Sequence, residues 1–427
     1  MDRSSLAAML AEFGAGRRLY ALEAEGALGR MQVERWHGHE VLSGLSEWCI
    51  DTLLADAGID LDTPLGQRVT LRTALADGGV ARRSGLVREA QLLGSDGGLA
   101  RYRLRVVPWP WLLTRGRHSR VFQDQSVLAI VEQVFADYRP HAAWHIGADA
   151  RALLARVRPR SYCVQYRESD FDFVQRLLAR EGLGHAVVEA AEAPSGHVLV
   201  LFADSRHLPE DPTSAGDPLG RGIRFHRVAA VEASDTIQQL ARETHLAPDA
   251  LVRLSHDYKT LAASTAGAVL AERQVRLEDY DPAGVYAFAD NREAEHYLRL
   301  AAEASTGQAE TFSGCGSVRS ARVGTRFRLA GAPPSAGGDS AEGWLWTRLV
   351  HAGINNLPDT LRTALAARLA PEPDEEDAED APWASAAAHG YAQRFEARAA
   401  AHPFRPVLDD GHGLRLHPRP TAPGPQT

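Results

Sequence analysis

Residues 165–182, QYRESDFDFVQRLLAREG, decide how this chain is read. The run from Cys163 to Arg167 has strand character and leads into Ser169, whose hydroxyl is of the type that caps a helix. Asp172, three residues later, is placed to reach back as a capping-box partner. Phe173, Val174, Leu177 and Leu178 then fall on one helical face, which predicts an apolar stripe that has to be buried. Gly182 ends the pattern and supplies the left-handed position that a helix stop favours.

Outward from this helix the period of the apolar residues changes. Towards the N-terminus, Val69, Leu71 and Leu75 alternate with polar or small neighbours, Asp77-Gly78-Gly79 turns, and Gly85 to Leu93 returns. Ser95 to Gly98 turns again, and Leu99 to Val107 forms a third strand with Tyr102, Leu104 and Val106 on one face and Arg101, Arg103 and Arg105 on the other. Tyr20 to Glu40 adds short strand-like pieces, and Ile50 to Ala57 is apolar but of undecided type. The succession predicts an antiparallel meander closing into a barrel or sandwich. Pro108 and Pro110 interrupt any ladder. Beyond them Ser126 caps a helix carrying Val127, Ile130, Val131, Val134, Phe135 and Tyr138, and Pro140 stops it.

Towards the C-terminus, strands are expected at His197 to Ala203, Ile223 to Val231, Leu251 to His256, Thr325 to Ala330 and Trp344 to His351. Leu208 to Gly222 reads as a loop, and Ile237 to Thr244 as helical or irregular. Asp290 to Ala304 reads as a helix capped by Asn291. Seven of the ten residues from Pro371 to Asp380 are acidic, a composition that builds no core, so this stretch reads as a linker.

The bulk numbers bound the class. A chain of 427 residues with 44% hydrophobic content and a mean hydropathy of -0.26 has room for two or three globular domains. No run approaches the roughly 18 apolar residues of a membrane span, and the opening MDRSSLAAMLAEFGAG puts acidic residues where a signal peptide is basic, so folding in the cytoplasm is expected. A net charge of -8 argues against nucleic acid, and the sole lysine, Lys259, follows Tyr258 and so cannot form a phosphate loop. Cys49, Cys163 and Cys315 are too few and too scattered for a disulfide framework or a zinc cluster, and are expected to be small buried residues.

The stretch around Tyr166, Arg167, Glu168, Ser169, Asp170, Phe171, Phe173 and Gly182 resembles a segment of the VgrG family, the spike proteins of the bacterial type VI secretion system, which are related to phage tail-hub proteins. Two further stretches fit the family in the same order. Pro108, Trp109, Trp111 and Thr114 followed by Phe122, Gln123 and Asp124 resemble its P-W-x-W-x-L-T and F-Q-D motifs, and YAQRFEARAAAHPFRP from Tyr391, with Arg394 and Phe395, resembles its junction into the next domain. The resemblance implies a mainly β fold with inserted helices, organised as two tandem tail-hub-like β-barrels. The boundaries expected are 15–155 for the first barrel with its helical insertion, 156–370 for the second, and 371–427 for an acidic linker and junction towards an oligonucleotide/oligosaccharide-binding-type domain and a β-helix needle that this sequence does not contain. It also implies a homotrimer that presents six barrels to a hexameric tube of the tail-tube protein Hcp, contacts baseplate proteins and carries effectors, with no enzymatic activity and no cofactor, and that is secreted through the apparatus. A phage or prophage tail hub would share this fold.

Several residue groups invite other chemistry. Glu168, Asp170, Asp172 and Glu181 suggest a paired-carboxylate hydrolase, although acids at a helix start also serve its dipole. His37 with His39, and His141 with His145, have two-ligand spacings but no visible third ligand. Gly314-Cys315-Gly316-Ser317 looks nucleophilic but reads better as a turn before a strand. Arg101, Arg103 and Arg105 form either an anion-binding stripe or an exposed strand face or subunit contact. Trp109, Trp111, Trp344 and Trp346 suit cores or interfaces.

Overall fold

Alternating side chains set up the first half of the fold. Strands β1 (Tyr20–Ala24), β2 (Gln32–Val41), β3 (Glu47–Leu54), β4 (Arg68–Ala74), β5 (Val80–Ser95) and β6 (Ala100–Val107) pair antiparallel in the order β1-β4-β5-β6-β3-β2. Tyr102, Leu104 and Val106 enter a core with Trp36, Trp48 and Ile50, as their alternation predicts. Two bulges in β5, between Val87 and Glu89 and between Leu92 and Gly94, bend the longest strand and curl the sheet. The computed structural model describes residues 18–96, 99–226, 234–257, 261–271, 277–285, 287–332, 342–369, 381–409 and 414–415. The expectations for Met1 to Gly16, the end of the Ser95 to Gly98 turn, the end of the Ile223 to Val231 strand, Lys259 and the acidic run Pro371 to Asp380 lie outside these residues.

The middle of the chain folds as a helical layer: β7 (Arg117–Gln125), α1 (Val127–Ala136), β8 (Trp144–Ile146), α2 (Ala148–Leu154), β9 (Arg160–Ser169), α3 (Asp170–Arg180), β10 (Gly184–Glu189) and β11 (His197–Phe202). α1 and α3, on either side of residue 155, share one core with Trp109, Phe122 and Leu201. Strand β7 was not foreseen. It forms a two-stranded antiparallel ribbon with β9, a ladder that the mixed polarity of RHSRVFQDQ hides.

The rest comprises α4 (Pro212–Ala215), β12 (Ile223–Phe225), β13 (Thr236–Thr244), β14 (Ala250–Asp257), β15 (Ala262–Val269), β16 (Glu278–Val285), α5 (Asn291–Gln308), β17 (Glu310–Gly316), β18 (Arg326–Phe327), β19 (Leu329–Ala330), β20 (Trp344–Ile354), α6 (Asp359–Ala366), α7 (Trp383–His389), β21 (Tyr391–Ala399), β22 (Leu408–Asp409) and β23 (Leu414–Arg415). β20, β21, β17, β13, β12 and β19 continue the first half's sheet in that order, with β18 alongside β20, so thirteen strands form one curled sheet. The two halves join where β2 pairs antiparallel with β20, from Arg35 opposite Ile354 to Val41 opposite Arg348. The second half has its own aromatic core, in which Phe327 stacks on Trp346 at 3.6 Å between ring centroids and Phe395 meets Trp346 edge-on at 4.8 Å. The fold is thus mainly β with inserted helices. β14, β15 and β16 form a separate small sheet under α5.

Four local expectations are corrected. Ile237 to Thr244 is strand, because β13 lies between β12 and β17, and the ladder rather than side-chain period decides its conformation. Gly314 to Gly316 is strand interior, not a turn: a Cβ on Gly314 would lie 2.1 Å from the Gln239 carbonyl oxygen and 2.6 Å from the Phe395 ring, so only glycine lets the strands close. The cap of α5 is Asp290, which accepts from the Glu293 N–H at 2.9 Å, one residue before Asn291. Tyr391 to Ala399, expected to lead out of the second barrel, is seated inside the sheet between β20 and β17.

Candidate assembly site at the organising helix

Ser169 caps α3 as its sequence predicts, accepting from the Asp172 N–H at 3.1 Å. The reciprocal half of the capping box differs. The Asp172 carboxylate accepts from the Ser169 hydroxyl at 2.7 Å, while the Ser169 backbone is engaged in the ribbon opposite Arg117. At the other end Gly182 has φ +69°, its N–H donates to Ala179 O and the Leu183 N–H donates to Leu178 O, both at 2.9 Å, closing a Schellman motif. Phe173, Val174, Leu177 and Leu178 are all buried. At about 1.5–3 kcal/mol each, their burial outweighs the roughly 1 kcal/mol of a cap.

Asp170, at the first turn, is a hub for this layer. Its carboxylate accepts from Gln165 Nε2 at 2.6 Å and Tyr138 Oη at 2.7 Å, lies 2.8 Å from His118 Nδ1, and has Arg120 at 3.6 Å. It is sealed but shallow, since the His118 side chain above it is 42% exposed. Burial raises the carboxyl's pKa, but the hydrogen bonds from Gln165, Tyr138 and His118 outweigh burial and hold it below the usual range. The same contact, after burial, pushes the Tyr138 phenol up. The other acids are also engaged: Glu168 by Arg176 at 2.6 Å, and the buried Glu181 by Arg160 at 2.8 Å and Tyr297 Oη at 3.2 Å. These carboxylates therefore tie β7, β9, α3, α5 and the turn that follows α1 together.

The other motif residues divide between core and surface. Trp109 is buried, donating its backbone N–H to His197 Nε2 and its indole N–H to Ala143 O, each at 3.0 Å. Pro108 precedes the 3-10 turn Trp109–Thr114 as its cap residue. Phe122 stacks on Phe173 at 5.6 Å, and half-buried Trp111 lies under Arg115 at 4.3 Å. Phe171 packs against the edge of the same core. Gln123, Asp124, Tyr166 and Arg167 face outward on the ribbon, with positive φ at Asp124 (+51°) and Arg167 (+53°). In the second half Phe395 points into the aromatic core and Arg394 out of it.

The arginine stripe is not an exposed face. Arg103 is bidentate to Asp51 at 2.7 and 2.9 Å, Arg101 grips Glu34 at 2.8 and 3.0 Å, and Arg105 reaches Glu47 at 3.0 Å. α6 closes this side of the sheet, packing Leu361 and Leu365 against Leu53 and Leu99. Burial pushes the Asp51 carboxyl up, and Arg103 and Arg35 more than reverse that. His37 lies buried on β2 against Trp383 at 5.4 Å, while His39 is exposed on the same strand. His141 contacts Ser195 Oγ at 3.2 Å. Cys49 and Cys163 are buried and Cys315 is half-buried. Among the described residues no group of three or more His, Cys, Asp or Glu side chains is placed to hold a metal, and no helix is long and apolar enough to cross a membrane.

Sequence reasoning missed a buried polar knot between the halves. Glu40 on β2 is held by Arg83 Nε at 3.0 Å, by Arg322 at 3.3 Å and by the Val323 N–H at 3.3 Å, and His351 Nε2 on β20 lies 3.3 Å away. His351 Nδ1 lies 2.8 Å from Tyr391 Oη. Burial lowers His351 to about 4. The members are scattered from residue 40 to residue 391 with no local motif, so the sequence carries no signal for the knot.

Residues 39–357 match the phage tail baseplate hub (GPD) family, and the chain belongs to that family. Within it, the chain is 30% identical over 308 residues to the type VI secretion system spike protein VgrG1a of Pseudomonas aeruginosa, a match covering 70% of this chain and 45% of the relative. The chain thus spans about half the length of that spike protein. The E. coli c3393 protein, a type VI component with structural similarity to phage T4 tail proteins, shares the fold at TM-score 0.58 and 17% identity, covering 91% of this chain and 79% of that one. A prophage MuSo2 43 kDa tail protein from Shewanella oneidensis does so at TM-score 0.54 and 11% identity, covering 90% and 99%.

Proposed function

We propose that the chain is the hub portion of a type VI secretion spike: three copies form a ring that caps the hexameric tail tube built of Hcp, seats on the baseplate and carries effectors. The observation that carries this reading is the curled thirteen-stranded sheet, whose two halves come from residues 20–107 and 223–399 of one chain and whose family match spans both. Three chains, each with two sheet halves, offer six places to a sixfold tube, which adapts a threefold spike to it. In this reading the two halves of the sheet are the barrel-like units, the second reaching past residue 370 to take in β21, with the helical layer bridging residue 155; assembly takes place in the cytoplasm, and the protein leaves through the apparatus it caps.

The role is mechanical. The acids that invite a hydrolase reading, Glu168, Asp170 and Glu181, are each neutralised or hydrogen-bonded from within, which supports a scaffold. A phage or prophage tail hub is the second reading, supported by the fold likeness to the Shewanella protein, but the 30% identity over 308 residues favours the secretion spike. Size-exclusion chromatography with light scattering tests the proposal. The expected result is a particle of three times the chain mass that co-elutes with the purified tail-tube protein; a full-length protein that stays monomeric and ignores the tube overturns it.

A further inference from the structure

Between the end of β21 at Ala399 and the start of β22 at Leu408 the chain touches three separate parts of the molecule. Phe404 enters the aromatic core of the second half, and its backbone N–H donates to Ser205 Oγ at 2.8 Å. Arg405 is 6% exposed. Its Nε and Nη2 donate to the Glu303 carboxylate on α5 at 2.7 and 2.6 Å, and its Nη1 donates to Gly182 O at 2.7 Å and to Ala203 O. Val407 then packs against the apolar cluster of α5. One guanidinium therefore holds the end of α3, the end of β11 and α5 at the same time.

Each partner has a physical reason. A guanidinium stays charged in a protein, so a buried one has to be matched where it lies, and Glu303 supplies the charge. The Gly182 carbonyl stands at the C-terminal end of α3, where the helix dipole favours a cation. A Cβ on Gly182 would come within 2.8 Å of Leu300 Cδ2 and 3.4 Å of Arg405 Cδ, so the glycine that stops α3 also leaves room for α5 and for this side chain. Lysine, a compact point charge, does not span three elements as a planar fork does. Connections ordinarily run over the surface, whereas this one is pinned by a buried ion pair to residues 102 to 223 positions away. From this geometry we infer that Arg405 is a positioning residue: it fixes the direction in which the chain leaves the fold after residue 407, locking the exit to the helical layer and α5, where a free connection would swing from the end of β21. The use of such a joint rests on the hub reading, since a spike driven along its axis passes thrust through a stiff joint and loses it at a hinge.

The test is pulsed dipolar spectroscopy on the full chain, with nitroxides at R151C on α2 and R415C on β23 in a C315S background, diluted into excess unlabelled chain so that only distances within one chain are read. With Arg405 intact the distance distribution is single and narrow. R405A widens it towards the roughly 15 Å reach of a free connection of the eight residues between β21 and β22, and R405K widens it less because it keeps a charge against Glu303. R206A, at an exposed neighbour of Ser205, leaves it unchanged. Melting curves followed by circular dichroism separate widening from loss of the fold, and if R405A melts early, R405K decides in its place. A distribution already broad with Arg405 intact, equal widths with Arg, Lys and Ala at 405, or an equal widening in R206A overturns the inference. Light scattering reads the hub proposal separately: a monomer removes the use of the joint and leaves the joint itself standing.

Discussion

On its outward side the first half of the sheet carries Glu34, Asp51, Glu47, Arg101, Arg103 and Arg105, and all six are largely enclosed. The second half carries Gln239, Ser313, Cys315, Arg348, Val350 and Arg394 on that side, and an open groove of about 930 Å³ runs over them beside α7. The more highly charged face is the buried one. In the first half each arginine on β6 reaches an acid on β3 or β2, so α6 can close over the face without stranding a charge. In the second half Arg394 lies between Val350 and Cys315 on its neighbouring strands, and its charge stays in water. Closed ion pairs between strands, not the number of charges or their register, separate the faces: on the open side Arg348 lies opposite Glu396 on β21, both exposed, and among the described residues they form no ion pair.

The largest expected break comes from Asp51→Ala. Removing the carboxylate leaves Arg103 and Arg35 facing each other without it, and stability falls by about 3–5 kcal/mol in chemical denaturation. A loss below about 1 kcal/mol would show that the first face is wetter than its geometry. Next comes pH. Burial lowers His185, His197 and His351 to about 4, below the ordinary value of about 6.5. Between those values the unfolded chain takes up protons that the folded chain refuses, so stability falls as pH drops from about 6.5 to 4. Asp211 opposes this: burial raises it to about 6, so the folded chain binds its proton first and gains stability over the same fall. Three groups against one leave a net loss of several kcal/mol, visible as a lower melting temperature at pH 4.5 than at 7.5.

A smaller contrast separates two strand glycines. Gly314→Ala, squeezed between Phe395 and β13, costs about 1–3 kcal/mol, whereas Gly94→Ala in the first half meets nothing within 4 Å and is neutral or slightly stabilising. The smallest effect is that of Arg348→Ala on the open face, under about 0.5 kcal/mol in the same denaturation assay. A cost comparable to that of Asp51→Ala would remove the distinction between the faces.

Local pattern made the organising helix legible down to Ser169 and Gly182, and it made the meander β4 to β6 legible too, because each is set by residues close in sequence. What escaped depends on neighbours far away. β13 and β17 have weak alternation and are strands because their ladders hold them. Arg101, Arg103 and Arg105 looked solvent-facing because their acids lie on other strands. The Asp170 site was half visible. Its place at a helix start was plain, but Tyr138 and His118, which turn it from a dipole partner into a crosslink, come from elements 32 and 52 residues away.

The seam between β2 and β20 joins residues more than 300 positions apart. On the ribosome, at about 5–20 residues per second, the first half therefore waits roughly 15–60 s with the N–H and C=O groups of β2 unmatched along one side. Until β20 arrives, that side of β2 is a template for any stray strand, including one from a sister chain on the same message.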